Sequence, residues 1–200
     1  MDLPSILAEL STARTIIGIT GPPGAGKSML AAQISAAVAS CVVVGMDGFH
    51  LADEELGRLG RSGRKGAPDT FDVEGFVSTL ARIRAADAVV YVPRFHRTLE
   101  AAVAGSICVV PTTRLVVVEG NYLLLQTGAW RTVRGLLDEC WYVDVDDQLR
   151  VAELVARHVS FGRSPEAAGE WVARSDEANA RLVAGTRHLA DRWVGRLRTA

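Results

Sequence analysis

Apolar positions along the chain follow two rhythms. Thr15-Ile16-Ile17-Gly18-Ile19-Thr20, Cys41-Val42-Val43-Val44-Gly45-Met46, Val89-Val90-Tyr91-Val92, Leu115-Val116-Val117-Val118 and Trp141-Tyr142-Val143-Asp144-Val145 are short and largely β-branched, as strands buried on both faces should be. Between them the spacing turns helical. Leu30, Ile34 and Val38 share one face, as do Trp130, Val133, Leu136 and Leu137. Asp72 is an N-cap with Phe71 and Phe76 at staple positions, opening a helix that ends near Ala86. Acidic residues open a helix over 146–160, and Ser164-Pro165 starts a long one that Gly185 closes. Strand and helix alternate from end to end, which predicts one α/β domain over 1–200, a mainly parallel sheet flanked by helices. A short helix over Pro4–Leu10 and a last strand over Trp193–Leu197 complete the expectation. Gly57–Thr70 reads as a mobile loop, and Ile107–Val110 as a small extra strand in the weakly patterned stretch 98–113.

Gly21-Pro22-Pro23-Gly24-Ala25-Gly26-Lys27-Ser28 joins the first strand to the first long helix and has the form G-x-x-x-x-G-K-[ST]. That is a phosphate-binding loop: its glycines let successive N–H groups turn inward at a helix N-terminus, where the macrodipole adds to their attraction for phosphate. Gly21, Gly24, Ala25, Gly26, Lys27, Ser28 and Met29 form the nucleotide-binding set. Lys27 is placed to reach the β- and γ-phosphates of a bound polyphosphate, and Ser28 to ligate Mg²⁺.

Composition narrows the partners. A formal charge of −1 over 200 residues gives no global pull toward nucleic acid or anionic membrane. Lys27 and Lys65 are the only lysines among 22 cationic residues. Cys41, Cys108 and Cys140 are scattered among apolar neighbours, without disulfide or metal spacing, so a reducing cytoplasm and buried thiols are expected. No segment is long and apolar enough to span a membrane.

Carboxylates at strand ends are the candidates for chemistry, because ligands of open α/β sheets sit at the carboxyl ends of the strands. Asp47 follows the second strand and is a candidate general base; the alternative is an Asp-Gly turn bonding its own backbone. Glu119 ends the most hydrophobic strand and can hold Mg²⁺ through water or share the base role. Tyr91, Arg94, His96 and Arg97 cluster where an acceptor could stack and hydrogen-bond. Arg58, Arg61, Arg64 and Lys65 read more as a solvated surface than a site. His158 and His188 carry no assigned chemistry. Arg157, Arg163 and Arg174 bracket the break at Ser160–Ser164, so a lid over 157–166 could bring guanidinium groups onto the transferring phosphoryl, or the same arginines could pair with Glu166 or Glu170 on a solvated helix.

Taken together, Gly21–Ser28, Asp47-Gly48-Phe49-His50, Arg64-Lys65-Gly66-Ala67-Pro68 with Phe71-Asp72, Val92-Pro93-Arg94-Phe95-His96-Arg97 and Val117-Val118-Glu119-Gly120-Asn121-Tyr122 resemble the phosphoribulokinase, uridine kinase and pantothenate kinase family of P-loop kinases. The resemblance runs over about 14–184 and is nearest to small bacterial nucleoside-kinase-like or fructokinase-like members. It implies the three-layer P-loop NTPase sandwich, ATP with Mg²⁺, an acidic base at 47, and lid arginines such as Arg157 and Arg163 on phosphates. The acceptor-facing set is then Asp47, His50, Tyr91, Arg94, His96, Arg97 and Tyr122. Expected is phosphorylation of a hydroxyl on a small metabolite, a sugar or nucleoside, with pantothenate as a further acceptor and a nucleotide-driven ATPase switch on a protein partner as the reading from another class. A homodimer stays open.

Overall fold

The computed structural model describes residues 14–195. Five strands form one sheet, β1 (Thr15–Thr20), β2 (Cys41–Gly45), β5 (Leu115–Glu119), β6 (Glu139–Asp144) and β7 (Arg192–Gly195), in the order β2-β5-β1-β6-β7 and parallel throughout. Parallel neighbours need crossover connections, and the helices that supply them cover both faces. Alternation along β1 shows the division: Ile16 faces a core with Val116, Val118, Phe76 and Leu80, while Ile17 and Ile19 face a second with Leu30, Ile34, Val117 and Trp141. The layers are therefore helix, sheet, helix, as the hydrophobic pattern requires.

Seven helices lie among the described residues: α1 (Lys27–Ala37), α2 (Asp53–Arg58), α3 (Val73–Ala85), α4 (Trp130–Val133), α5 (Asp147–Ser160), α6 (Pro165–Trp171) and α7 (Glu177–Ala184). Asp72 caps α3 by accepting from Gly75 N at 2.9 Å. Asp146 and Ser164 cap α5 and α6 in the same way. The expected helix at 4–10 and the end of the last strand lie outside the described residues.

Three regions depart from the sequence reading. Gly57–Thr70 is not a loose loop. It follows α2 through two 3₁₀ turns, and its backbone is fastened by Tyr122 Oη donating to Gly66 O (2.6 Å) and Trp130 Nε1 donating to Pro68 O (3.1 Å). The long helix after Ser164 is interrupted between α6 and α7 by a π-helical turn over Val172–Asp176. The strand at Val89 does not join the parallel sheet: β3 (Val90–His96) pairs antiparallel with β4 (Ala101–Val109) in a separate hairpin whose register shifts at Pro93. Proline cannot donate to a ladder, so it falls at the irregularity.

The hairpin is anchored at both ends. Arg14 donates to Thr113 O, Val110 O and Pro111 O at its exit and to Ile83 O near the end of α3. At the other end Gly48, in the 3₁₀ turn Met46–Phe49 after β2, packs its bare Cα against the Pro93 carbonyl, where a Cβ would collide. Gly48→Ala should therefore cost roughly 1–3 kcal/mol, the usual scale of overpacking. A thermal melt should show Tm lowered by about 3–10 °C for a chain of this size; an unchanged Tm would show that the hairpin moves aside freely.

Candidate active site

Strand register builds the site. Glu119, the last residue of β5, lies opposite Ile19 on one side and Gly45 on the other. Gly21 follows Ile19 by two residues and Asp47 follows Gly45 by two. Three consecutive strands of the sheet thus deliver the phosphate loop, Glu119 and Asp47 to one edge, the carboxyl end where α/β sheets bind ligands.

Within the loop, Gly24 (φ 81°) and Gly26 (φ 91°) hold left-handed backbone. Gly24 has a second constraint, since a Cβ there would lie 2.7 Å from Leu154 Cγ and 3.2 Å from Arg150 Cγ of α5. Lys27 is 8% exposed and donates to Gly21 O (3.0 Å) and Pro22 O (2.9 Å). Burial pulls its pKa down to about 8, opposed by the carboxylates of Glu119 and Asp47. Ser28 Oγ donates to Glu119 Oε2 at 3.1 Å. Burial and the nearby Asp47 push the Glu119 carboxyl above its ordinary range, against Lys27 and the Ser28 hydrogen bond.

Asp47 occupies the 3₁₀ turn beyond β2, with Arg97 Nη2 3.6 Å from Oδ2 and His50 Nε2 3.9 Å from Oδ1. Its side chain stays 39% exposed. The His50 ring stacks on Phe71 at 4.1 Å, burial lowers its pKa, and its buried Nδ1 has no hydrogen-bond partner among the described residues. Ser28, Asp47, Arg94, Arg97 and Glu119 line a cleft of about 260 Å³. Asp47, Phe95 and Arg97 are shared with a larger cleft of about 800 Å³, which also takes in His50, Lys65 and Arg157. Beside the phosphate loop a cavity of about 230 Å³ is lined by Gly24, Gly26, Met29 and Arg157. Another, of about 240 Å³, lies against Pro22, Tyr142, Asp144 and Arg187.

Among the described residues no three His, Cys, Asp or Glu side chains gather to hold a metal alone. A hydroxyl bonded to a single carboxylate fits Mg²⁺ nevertheless, because that ion takes one or two protein ligands and completes its shell with waters and substrate phosphates.

Not every expected residue faces these clefts. Tyr91 is 64% exposed on the outer side of β3, since strand alternation gives its neighbours Val90 and Val92 to the core. His96 lines neither cleft. Tyr122 is 1% exposed, its hydroxyl bonded to Gly66 O, in an aromatic cluster with Phe71 and Trp130. Burial raises its pKa. Arg163 reaches the large cleft but lies over Trp171 at 4.3 Å, with Arg174 over the same ring at 5.6 Å. Of the basic loop, Arg58 pairs with Glu55, and Arg61 and Arg64 with Asp69, leaving only Lys65 in the cleft. Sequence reasoning missed Arg150, 1% exposed, which donates to Pro23 O (3.4 Å), Asp147 Oδ1 (2.9 Å) and Glu177 Oε1 (2.6 Å), tying the phosphate loop to α5 and α7. Nothing in its local pattern marks it.

The Phosphoribulokinase / Uridine kinase family matches residues 16–200. A protein of Schizosaccharomyces pombe named provisionally as a uridine kinase is 34% identical over 183 residues, 85% of this chain and 78% of its own length. A pantothenate kinase of Limosilactobacillus reuteri is 30% identical over 67% of this chain, which spans 46% of that protein. Among solved structures, a protein of Silicibacter sp. TM1040, described provisionally as a fructose transport system kinase, superposes with a TM-score of 0.83 at 36% identity over 96% of both chains.

The lowered pKa of Lys27 predicts a pH limit on nucleotide capture. Its folded pKa is depressed to about 8, so the ammonium is charged below that pH and lost above it. Because kcat/KM reports the free enzyme, kcat/KM for ATP should fall about tenfold per unit above roughly pH 8. The plateau of kcat at saturating ATP should extend higher, as bound phosphates favour the charged form. A profile of kcat/KM that stays flat to pH 9.5 would contradict this.

Proposed function

This chain belongs to the phosphoribulokinase/uridine kinase family and is an ATP-dependent small-molecule kinase, and from that premise we propose that it moves the γ-phosphate of ATP to a hydroxyl of a sugar or nucleoside, with Asp47 as the base. The carrying observation is the convergence of Asp47, Glu119 and Ser28 on one cleft that shares Asp47, Phe95 and Arg97 with a second, larger one. The triphosphate then belongs to the phosphate loop and Lys27. The adenine is assigned to the cavity at Pro22 and Tyr142, where Arg187 lies 5.8 Å from the Tyr142 ring. The acceptor belongs to the large cleft.

The environments of the two carboxylates divide their work. Glu119 is bonded to Ser28 and sits beside the Lys27 ammonium, which suits it to the metal side. Asp47 is the carboxylate that borders the acceptor cleft, so it takes the proton of the attacking hydroxyl. That oxygen bonds to the γ-phosphorus as the bond to the β–γ bridging oxygen breaks, and ADP leaves. Mg²⁺, when bound, neutralises charge on the transferring phosphates. Arg97 holds the Asp47 carboxylate from the acceptor side, while His50 and Arg94 border the space around the acceptor hydroxyl. Arg157 and Arg163 belong to a lid over 157–166, and Arg163 must leave Trp171 to reach a phosphate.

ADP release with fructose, ribose, uridine, ribulose 5-phosphate and pantothenate should rise above the no-acceptor background for a sugar or nucleoside. Equal release in every case would replace the kinase site with an ATPase. With the acceptor so found, Asp47→Asn should cut kcat by roughly 10²-fold or more while ATP affinity stays within a few-fold; lost ATP–Mg²⁺ binding would instead move Asp47 to the metal. Arg163→Ala should lower kcat by on the order of 10²-fold with Tm nearly unchanged, and an unaltered kcat would remove it from the mechanism.

A further inference from the structure

The π-helical turn between α6 and α7 has a consequence for the acceptor. Glu177 N–H reaches back five residues to Val172 O instead of four. In an uninterrupted α-helix, residues five apart lie about 140° apart around the axis, since each step turns about 100°. A wider π-turn brings such a pair close to one face, and turns of this kind recur at functional sites. Here the pair is Trp171 and Asp176, and both line the 800 Å³ cleft that also holds Asp47. Asp176 Oδ2 meets His158 Nε2 of α5 at 2.9 Å, with side chains only 14% and 18% exposed. Among the described residues no other hydrogen bond to this carboxylate is present, so lone pairs remain for a ligand.

The surrounding charges say what ligand. Lys65 is held by Asp53 Oδ1 (2.7 Å) and Glu100 O (3.2 Å), Arg97 by Asp47 (3.6 Å), and Arg163 by the Trp171 ring. The remaining cation, Arg157, also lines the cavity beside the phosphate loop, which directs it to the nucleotide. The four cations that line this cleft, Lys65, Arg97, Arg157 and Arg163, face four carboxylates, Asp47, Asp53, Glu100 and Asp176, so it carries no net positive charge to draw an anionic acceptor. A carboxylate facing a cleft without net positive charge selects hydroxyl donors, and a site built to bond a hydroxyl discriminates strongly against an analogue lacking it. Phe95 and Phe161 offer apolar surface in the same cleft for the C–H surface of a polyol.

We infer that Asp176, presented by the π-turn and oriented by His158, is a specificity-determining residue that accepts a hydrogen bond from a second hydroxyl of an uncharged polyol, the hydroxyl transferred to being the one that faces Asp47. This rests on the kinase reading of the cleft. The polyol is either a free sugar or the ribose of a nucleoside, and the same experiment separates the two.

The test pairs enzyme and acceptor changes. Wild type, Asp176→Ala, Asp176→Asn and His158→Gln are assayed for kcat and KM with fructose, ribose and uridine, with a monodeoxy analogue for each hydroxyl, and with ribulose 5-phosphate. For one deoxy position wild type should lose about 10- to 100-fold in kcat/KM. Asp176→Ala should lose a similar factor on the full acceptor, chiefly in KM, and should no longer distinguish it from that analogue. Asp176→Asn keeps an acceptor oxygen and should recover part of the difference, and His158→Gln should fall between. Which parent acceptor shows the effect identifies sugar or nucleoside. An Asp176→Ala loss equal on the full acceptor and on every deoxy analogue would mean that the pair only braces the helices, and would overturn the inference. So would wild-type preference for ribulose 5-phosphate, which leaves the kinase reading intact. Absence of acceptor-dependent ADP release from wild type throughout would remove the kinase reading itself, and this inference with it.

Discussion

A buried ammonium sets the terms for the rest of the site. Lys27 is nearly enclosed, and an enclosed charge is tolerable only when its donors are satisfied and opposite charge is near. The carbonyls of Gly21 and Pro22 take two of its three protons, which leaves one for a phosphate oxygen. Further along the loop Gly24 and Gly26 take left-handed backbone. Gly24 must also lack a side chain, because Leu154 and Arg150 of α5 pack directly on it. Arg150 then bonds Pro23 O and reaches Glu177, so the second layer of helices is fastened to the loop through one guanidinium. On the other side Glu119 and Asp47 lend their charge to Lys27. The parallel register of β2, β5 and β1 is what brings them close enough to do so.

The sheet and the phosphate loop are legible in the sequence because both are local. A run such as Leu115–Val118 is hydrophobic enough to demand burial on both faces wherever it lies, and a glycine loop between strand and helix specifies its own geometry. The hairpin is not legible for the opposite reason. Ala101–Val109 is built from small residues, most of them exposed, so it carries no alternation to read, and its pairing with β3 is decided by the partner. Tyr91 clusters with Arg94 along the sequence, yet strand alternation gives Val90 and Val92 to the core and turns it outward. Tyr122 enters the acceptor set only through the family resemblance; its hydroxyl partner, Gly66, lies 56 residues away and no pattern announces it. His158 and Asp176 are legible only once the π-turn is known, since at α-helical spacing Asp176 and Trp171 would not share a face.

Three departures from regular geometry border the site. Left-handed glycines shape the phosphate loop, the Pro93 shift in β3 lies against the turn that carries Asp47, and the π-turn lies across the cleft. Each forgoes regular hydrogen bonding or backbone freedom, costs that persist only where neighbouring structure over-determines them. The neighbours are visible here: Arg14 clamps the hairpin exit, Arg150 and Asp147 hold the loop and α5, and the hydrogen bond between His158 and Asp176 fastens the π-turn.

The two sides of the site are therefore built on different principles. The nucleotide side hangs on the edge of a parallel sheet whose register is fixed by two cores, so its groups can be displaced only by breaking strand pairing. The proposed acceptor side hangs on a two-stranded hairpin, a short 3₁₀ turn and an interrupted helix, none of which shares that ladder. A change at Pro93 or within 172–176 can reshape the acceptor wall while leaving Lys27, Ser28 and Glu119 where the sheet puts them. That separation explains why ATP use can be read from residues 21–28, while the acceptor must be argued from side chains that only the folded chain assembles.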